Sequence, residues 1–132
     1  MRRGWVPVVL AALVLPVSAC SGDAERCEEA FTAVTMSVDG VTSARWDCSE
    51  QFGGGWQRGD VVIEAASERE AVAVIDAIMR AYAVSPDLED RWSPPQEFKT
   101  HDRSIVVSAK DLGFYAPPDL RQVRAHYGIT PG

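Results

Sequence analysis

A capped amphipathic segment near the middle of the chain is its strongest structural signal. Ser67 is followed three residues later by Glu70, the spacing of a capping box at the start of a helix. Apolar residues then recur every three or four positions, at Ala71, Val74, Ile75, Ile78, Met79 and Tyr82. The pattern ends near Ala83, and Pro86 prevents its continuation. The sequence therefore predicts a long helix that must bury one face against other elements.

Two segments before this helix have the pattern of strands. Residues 41–49 alternate between polar and apolar side chains, and residues 56–65 contain a β-branched apolar run. Three glycines, at 53–55, separate them. A phosphate-binding loop would lead into a helix, whereas this one leads into a strand, so the glycines predict a flexible hairpin loop.

The segment 25–38 has two interpretations. Its β-branched residues favour a strand, but its apolar residues recur at helical spacing, at Cys27, Ala30, Phe31, Val34 and Val38. A two-residue hairpin turning at Asp39-Gly40 would set this apolar set against the polar face of the strand 41–49. The register argument therefore favours a helix.

The last third of the chain contains two double prolines. Pro94-Pro95 restricts any strand within 92–100 to an edge or to the part after the prolines. Residues 104–109 have the composition of a strand. The second double proline, followed by Asp119, predicts a final short helix that ends at Gly128.

The predicted order is helix, strand, strand, helix, strand, strand, helix (α-β-β-α-β-β-α). It favours the α+β class, with a single small antiparallel sheet and helices packed on one face. The turn at 39–41 with the following hairpin and long helix is similar to ferredoxin-like α+β sandwiches, a domain type of small bacterial lipoproteins. That resemblance implies a fold and carries no function. With no repeat or long linker in 132 residues, we expect one domain over 25–130.

The N-terminus has the order of a secretory signal peptide. Arg2 and Arg3 are the only charges before residue 23, and an apolar run over 5–15 follows them. The run is shorter than the roughly 20 residues of a transmembrane span. The small residues 17–19 then lead directly to Cys20.

The sequence Val17-Ser18-Ala19-Cys20 resembles the lipobox of bacterial lipoproteins. The resemblance implies that the signal peptide 1–19 is removed, that Cys20 carries the lipid, and that 20–24 form a polar tether. It also implies an extracytoplasmic protein anchored in the cell membrane by its acyl chains. The alternative is an ordinary signal peptide cleaved after Ala19, which leaves Cys20 as an odd thiol in an exported chain.

The charge of the chain limits its partners. The net charge is −6, and removal of residues 1–19 takes away two arginines and no acid, which leaves −8. Anionic headgroups and phosphate backbones repel such a chain, so we expect no nucleic-acid partner and assign membrane attachment to the lipid. Arginine supplies 11 of the 13 basic residues and asparagine is absent, which fits a GC-rich, actinobacterial genome.

With Cys20 lipidated, Cys27 and Cys48 remain as a pair in an oxidising compartment. This indicates a structural disulfide. A redox pair typically has Cys-x-x-Cys spacing, and a zinc site needs further ligands, whereas both histidines lie beyond residue 100. We therefore expect no metal and no cofactor.

The chain contains no Gly-x-Ser-x-Gly, Ser-x-x-Lys or His-Glu-x-x-His motif and no calcium-loop spacing. His101-Asp102 is the one dyad with acid–base or metal-binding chemistry, and His126 is the other histidine. Adjacent residues on an extended segment point to opposite faces, so the dyad does not converge by itself. We therefore expect no catalytic activity; a small envelope enzyme or metal-binding protein using these three residues is the alternative.

Aromatic residues outside the apolar stripes predict a binding surface. They flank the glycine loop or precede the double prolines, at Phe52, Trp56, Trp92, Phe114 and Tyr115. Aromatic side chains beside loops commonly form binding sites, although they also cap the ends of small cores. The sequence thus predicts a lipid-anchored binding or accessory module of the cell envelope, whose partner is an envelope protein, a wall polymer or a small ligand.

Overall fold

Three helices and a four-stranded sheet make up the part of the chain that the structure, a computed structural model, describes: residues 4, 22–50 and 55–132. The elements are α1 (Gly22–Met36), β1 (Val41–Ser49), β2 (Trp56–Ile63), α2 (Glu68–Val84), β3 (Phe98–Lys99), β4 (Val106–Val107), a 3₁₀ helix (Ala109–Leu112) and α3 (Leu120–Tyr127). The predicted α+β class is confirmed. The 3₁₀ helix is an addition to the predicted order of elements.

The sheet is mixed, so the prediction of a wholly antiparallel sheet is wrong. Its strand order is β1-β2-β3-β4; the β1–β2 and β3–β4 pairs are antiparallel, and β2 and β3 are parallel. The parallel pair follows from α2, which lies between β2 and β3 in the chain and returns it to the end of the sheet where β2 began. A helical crossover of this kind is the usual connection between parallel strands.

The second pair of strands is much shorter than the sequence predicts. The strand expected over 104–109 is limited to β4, because the chain before it forms a turn around Asp102 and the 3₁₀ helix begins at Ala109. β3 begins at Phe98, after the prolines, as predicted. These strands contribute little sheet, and the β1–β2 hairpin contributes most of it.

The segment 25–38 is helical, as the register argument predicted. α1 starts at Gly22, however, so residues 22–24, expected to belong to a polar tether, are part of the helix. Asp23 and Glu25 lie in its first turn, where carboxylates stabilise the positive end of the helix dipole. The predicted tether is therefore too long by these three residues.

Aromatic side chains from three elements and from the segment before β3 meet in the core. The ring of Phe31 on α1 stacks on Trp46 of β1 at 3.8 Å between centroids and meets Tyr82 of α2 edge-on at 5.4 Å. Trp92, which precedes β3, lies 5.8 Å from Phe31. Gly59 of β2 makes room for this packing, because a Cβ there would lie 2.7 Å from the Trp46 ring.

The helix caps follow the sequence closely. The Ser67 side chain accepts a hydrogen bond from Glu70 N at 3.1 Å, and the Glu70 carboxylate accepts one from Ala66 N at 2.8 Å, one residue earlier than the standard capping box. Asp119 caps α3, and Gly128 ends it in the left-handed conformation at φ 63°. Of the helices described, none has the length and apolar content needed to cross a membrane.

Candidate binding cleft

A cleft of about 390 Å³ opens at the end of the sheet where β2 begins. The sheet topology explains which segments meet there. β3 runs parallel to β2, so the segment 91–96 that precedes it lies at the same end, and β4 returns the chain to that end at 108–110. Residues 115–118, before α3, complete the walls. Four separate stretches of sequence thus form one concave surface, of the size typical for small-ligand sites.

Proline rings and one side-chain hydrogen bond hold the walls in place. The Gln57 amide oxygen accepts a hydrogen bond from Ser93 N at 2.8 Å, which ties β2 to the segment before β3. The four prolines of the cleft are Pro94, Pro95, Pro117 and Pro118. Their rings fix the backbone φ angles, so much of the lining is rigid before any ligand arrives.

Two exposed aromatic side chains stand at the cleft. Trp56 is 38% exposed and Tyr115 is fully exposed, at 104%. The Arg58 guanidinium lies over the Trp56 ring at 4.3 Å, a cation–π contact that orients the indole. The Tyr115 side chain is left in water and is available for burial against a ligand, and so is the exposed part of Trp56.

The charge of the cleft differs from that of the chain. Among the described lining residues the charged side chains are Arg91 and Lys110, and none is an aspartate or glutamate. Arg91 donates to Glu50 at 3.2 Å and to Glu89 at 2.8 Å, outside the cleft. Glu50 and Glu89 offset the charge of Arg91, so Lys110 is the lining cation that favours an acidic group on a ligand.

The structure separates the five aromatic residues predicted as a binding surface. Trp56 and Tyr115 line the cleft together. Phe114 is half-buried and packs on the His126 ring at 4.2 Å, and Phe52 lies outside the described residues. Trp92 is fully buried, so its assignment to a surface is corrected: its ring packs in the aromatic core.

The predicted disulfide between Cys27 and Cys48 is present, with 6.3 Å between the two Cα atoms. It joins the N-terminal half of α1 to β1 opposite Gln57, next to the cleft. The predicted lipidation site, Cys20, lies outside the described residues.

The residues of the alternative, enzymatic hypothesis have separate structural roles. The Asp102 carboxylate accepts hydrogen bonds from Ser104 N at 3.0 Å, the Ser104 hydroxyl at 2.8 Å and the Thr100 hydroxyl at 2.9 Å, and these bonds lower the pKa of Asp102. His101 is exposed beside it. His126 lies on α3 against Phe114. In the described residues, no group of three or more His, Cys, Asp or Glu side chains is placed to hold a metal ion.

Sequence reasoning missed most of the cleft. The aromatic residues before each double proline belong to the predicted surface, but the sequence predicts the prolines only as limits on strands and helices, whereas all four line the cleft. Lys110 carried no local signal at all, because it reaches the cleft through the pairing of β3 with β4. The recurrence of an aromatic residue beside Pro-Pro was the one available clue.

The chain has no significant match to a known protein family, to a curated protein or to a solved structure.

Proposed function

We propose that this protein is a lipid-anchored, extracytoplasmic binding module of the bacterial cell envelope, and that the cleft is its ligand site. The observation that carries the proposal is that the exposed Trp56 and Tyr115 both line a proline-rich cleft, in which no described lining residue is an aspartate or glutamate. The module is non-enzymatic and needs no cofactor. Its anchor is a lipid on Cys20, after removal of residues 1–19.

The lining chemistry indicates the class of ligand. Aromatic and proline rings suit the flat apolar faces of sugars or other ring-containing groups, and the Lys110 ammonium suits a carboxylate or phosphate group. A wall polymer that carries acidic groups combines both features. It is the partner that we favour over an envelope protein.

The anchor position supports a membrane-proximal cleft. α1 begins at Gly22, so Ser21 alone separates a lipidated Cys20 from the helix in the sequence. The disulfide joins α1 to β1 at the end of the sheet that also carries the cleft. A short connection to the lipid would hold this end close to the membrane surface, where wall polymers attached to the membrane begin.

The finer fold assignment belongs to the same proposal. A ferredoxin-like sandwich with its helices on one face is supported by the order of the elements and by the exposed side chains on the opposite face of the hairpin, at Arg45, Asp47, Arg58 and Asp60. The parallel β2–β3 pair is a feature that this assignment must accommodate.

Intact mass of the full-length protein extracted from membranes tests the anchor. We expect a chain that starts at Cys20 with a lipid adduct, in which two further cysteines alkylate only after reduction. The Cys20→Ala variant should lack the adduct and leave the membrane fraction. An unlipidated wild-type chain with a free thiol would contradict the proposal and make Cys20 the leading functional residue.

Binding of solubilised wall fragments tests the cleft. We expect Tyr115→Ala to weaken binding of the wall fragments about tenfold, because a ring stacked on the ligand contributes on the order of 1–2 kcal/mol. Met36→Ala is the matched control, since Met36 is 46% exposed and lies on α1 outside the cleft lining. Equal affinity of both variants and the wild type would show that the cleft does not bind this polymer.

A further inference from the structure

β1 is a long strand at the edge of the sheet. It has nine residues and pairs with β2 alone among the described strands. The irregularity in its pairing lies between Val41 and Ser43, so the remainder of the strand is regular. Edge strands of this length usually carry a device that blocks pairing with another chain.

Along β1, every second residue directs its backbone N–H and C=O groups toward β2, and the residues between them direct these groups toward the free edge. The Val62 carbonyl accepts a hydrogen bond from the Thr42 hydroxyl at 3.1 Å, so the backbone groups of Val62 point toward β1. The register partner of Val62 on β1 is Ser43. Backbone hydrogen bonds join alternate residue pairs of an antiparallel ladder. The odd-numbered residues of 43–49 therefore bond to β2, and the even-numbered ones face the free edge.

The contacts at the free edge agree with this parity. Cys48 N donates to the Glu28 carboxylate at 3.0 Å and not to β2. Ala44 and Trp46 share its parity, and no residue in the described part of the chain bonds to their edge-facing backbone groups. Among the described residues, Glu28 of α1 thus occupies this edge at Cys48, and the edge-facing backbone groups of Ala44 and Trp46 have no hydrogen-bond partner.

A second copy of β1 can pair with this edge in an antiparallel register centred on Trp46. Only edge-facing residues can exchange backbone hydrogen bonds, and a two-fold axis at Trp46 pairs Trp46 with its own copy and Ala44 with Cys48 of the second copy. The same register sets Arg45 opposite Asp47 of the second copy, and Asp47 opposite its Arg45. Backbone parity also allows registers that set Arg45 opposite Arg45 or Asp47 opposite Asp47 of the second copy, and charge favours the register centred on Trp46 over these.

The charge pattern of the exposed sheet face continues across this junction. Within the chain, Lys99 forms an ion pair with Asp60, and Asp60 is the register partner of Arg45. In the next row, Arg58 is the register partner of Asp47. In the dimer, side chains of opposite charge follow one another across the exposed face, from Lys99 through Asp60 and Arg45 to Asp47 of the second copy.

We propose that two copies of this chain associate through antiparallel pairing of their β1 strands around Trp46, which joins the two sheets into one. The proposal is independent of the cleft and of the lipid anchor. Glu28 competes for Cys48 N and so weakens the dimer without preventing it.

Sedimentation equilibrium of the full chain in density-matched detergent tests the pairing. We expect a monomer–dimer equilibrium in the wild type, and a dissociation constant about tenfold to a hundredfold higher in Arg45→Asp, because the dimer contains the reversed contact twice. The double variant Arg45→Asp/Asp47→Arg restores opposite charges between copies and should return the constant toward that of the wild type.

Arg58→Asp is the matched control. It creates one like-charge pair within the chain, with Asp47, just as Arg45→Asp does with Asp60, but it lies one strand away from the junction. Thermal melting of each variant shows whether the monomer is folded. A wild type that is monomeric at its highest soluble concentration, or equal dissociation of Arg45→Asp and Arg58→Asp, would overturn the proposal.

The dissociation constant of the Glu28→Ala variant tests the proposed register independently. It frees Cys48 N to donate to Ala44 of the second copy, so the dimer should become severalfold tighter. An unchanged or weaker dimer would contradict the register centred on Trp46.

Discussion

Arg124 on α3 is the side chain with the most connections between separate segments. It is 7% exposed, and it donates to the carbonyls of Ala83 at 3.0 Å, Ser85 at 2.7 Å and Leu88 at 2.8 Å. It also pairs with Asp90. The guanidinium thus satisfies carbonyls at the C-terminal end of α2, where a positive charge is also favoured by the helix dipole.

We expect Arg124→Ala to lower the free energy of unfolding by about 2–4 kcal/mol, because three carbonyls lose their donor and a buried side chain is removed. Denaturant titration measures the change. Arg121→Ala, an exposed arginine on the same helix, should cost less than about 0.5 kcal/mol. Similar losses in both variants would show that Arg124 has no special role at the end of α2.

Thr35 shows how a polar residue belongs to the core. It is fully buried, donates to the Phe31 carbonyl at 2.6 Å and accepts from the Tyr82 hydroxyl at 2.6 Å. Burial raises the pKa of Tyr82. The sequence placed the neighbouring apolar residues on the buried face of α1, but it gave no reason to include Thr35, because its partner lies 47 residues away on α2.

At the scale of elements, a polar contact joins α2 to α3. The Tyr127 hydroxyl donates to Asp76 at 2.8 Å, and Arg80 donates to the same carboxylate at 2.9 Å while lying over the Tyr127 ring. Partial burial raises the pKa of Asp76, but the hydrogen bonds from Arg80 and Tyr127 lower it more, so the pKa lies below its usual value. Asp76 therefore stabilises the packing of the two helices in its ionised form.

This contact makes the stability depend on pH. Because the pKa of Asp76 is lower in the folded than in the unfolded chain, its contribution is present above the usual aspartate pKa and is lost as the pH falls through the folded value. Tyr127→Phe should cost about 1 kcal/mol at pH 7 and clearly less at pH 2. In an Asp76→Asn background the loss should no longer vary with pH; a loss that does vary there would assign the effect to another group.

The pairing of elements also explains why the sheet differs from its prediction. Local alternation identified β1 and β2 as strands and Trp56 as the first residue of β2. It contained no information on the direction of β3, which depends on where α2 leads the chain. Strand direction is a property of the connection between strands and not of either strand alone.

For the molecule as a whole, the Cys27–Cys48 disulfide closes a loop of about 20 residues that contains most of α1 and β1. In the chain-entropy model such a loop stabilises the fold by about 3 kcal/mol. We expect Cys27→Ala/Cys48→Ala to lose about this amount in denaturant unfolding, and reductant to change the wild type but not the variant. A loss below about 1 kcal/mol would show that helix–sheet packing alone holds α1 in place.

Local signals in the sequence were enough to predict some elements: the caps of α2 and α3, the alternation of β1, and the helical spacing of Cys27 and Phe31. Tertiary structure alone decided that β3 runs parallel to β2, that Trp92 is buried in the core, and that Trp56 and Tyr115 meet at one cleft. The difference arises from the sequence separation over which the interactions act. Caps and periodicity act within a few residues, whereas strand direction, burial of one particular aromatic ring and the meeting of distant loops depend on contacts that form only when the whole chain has folded.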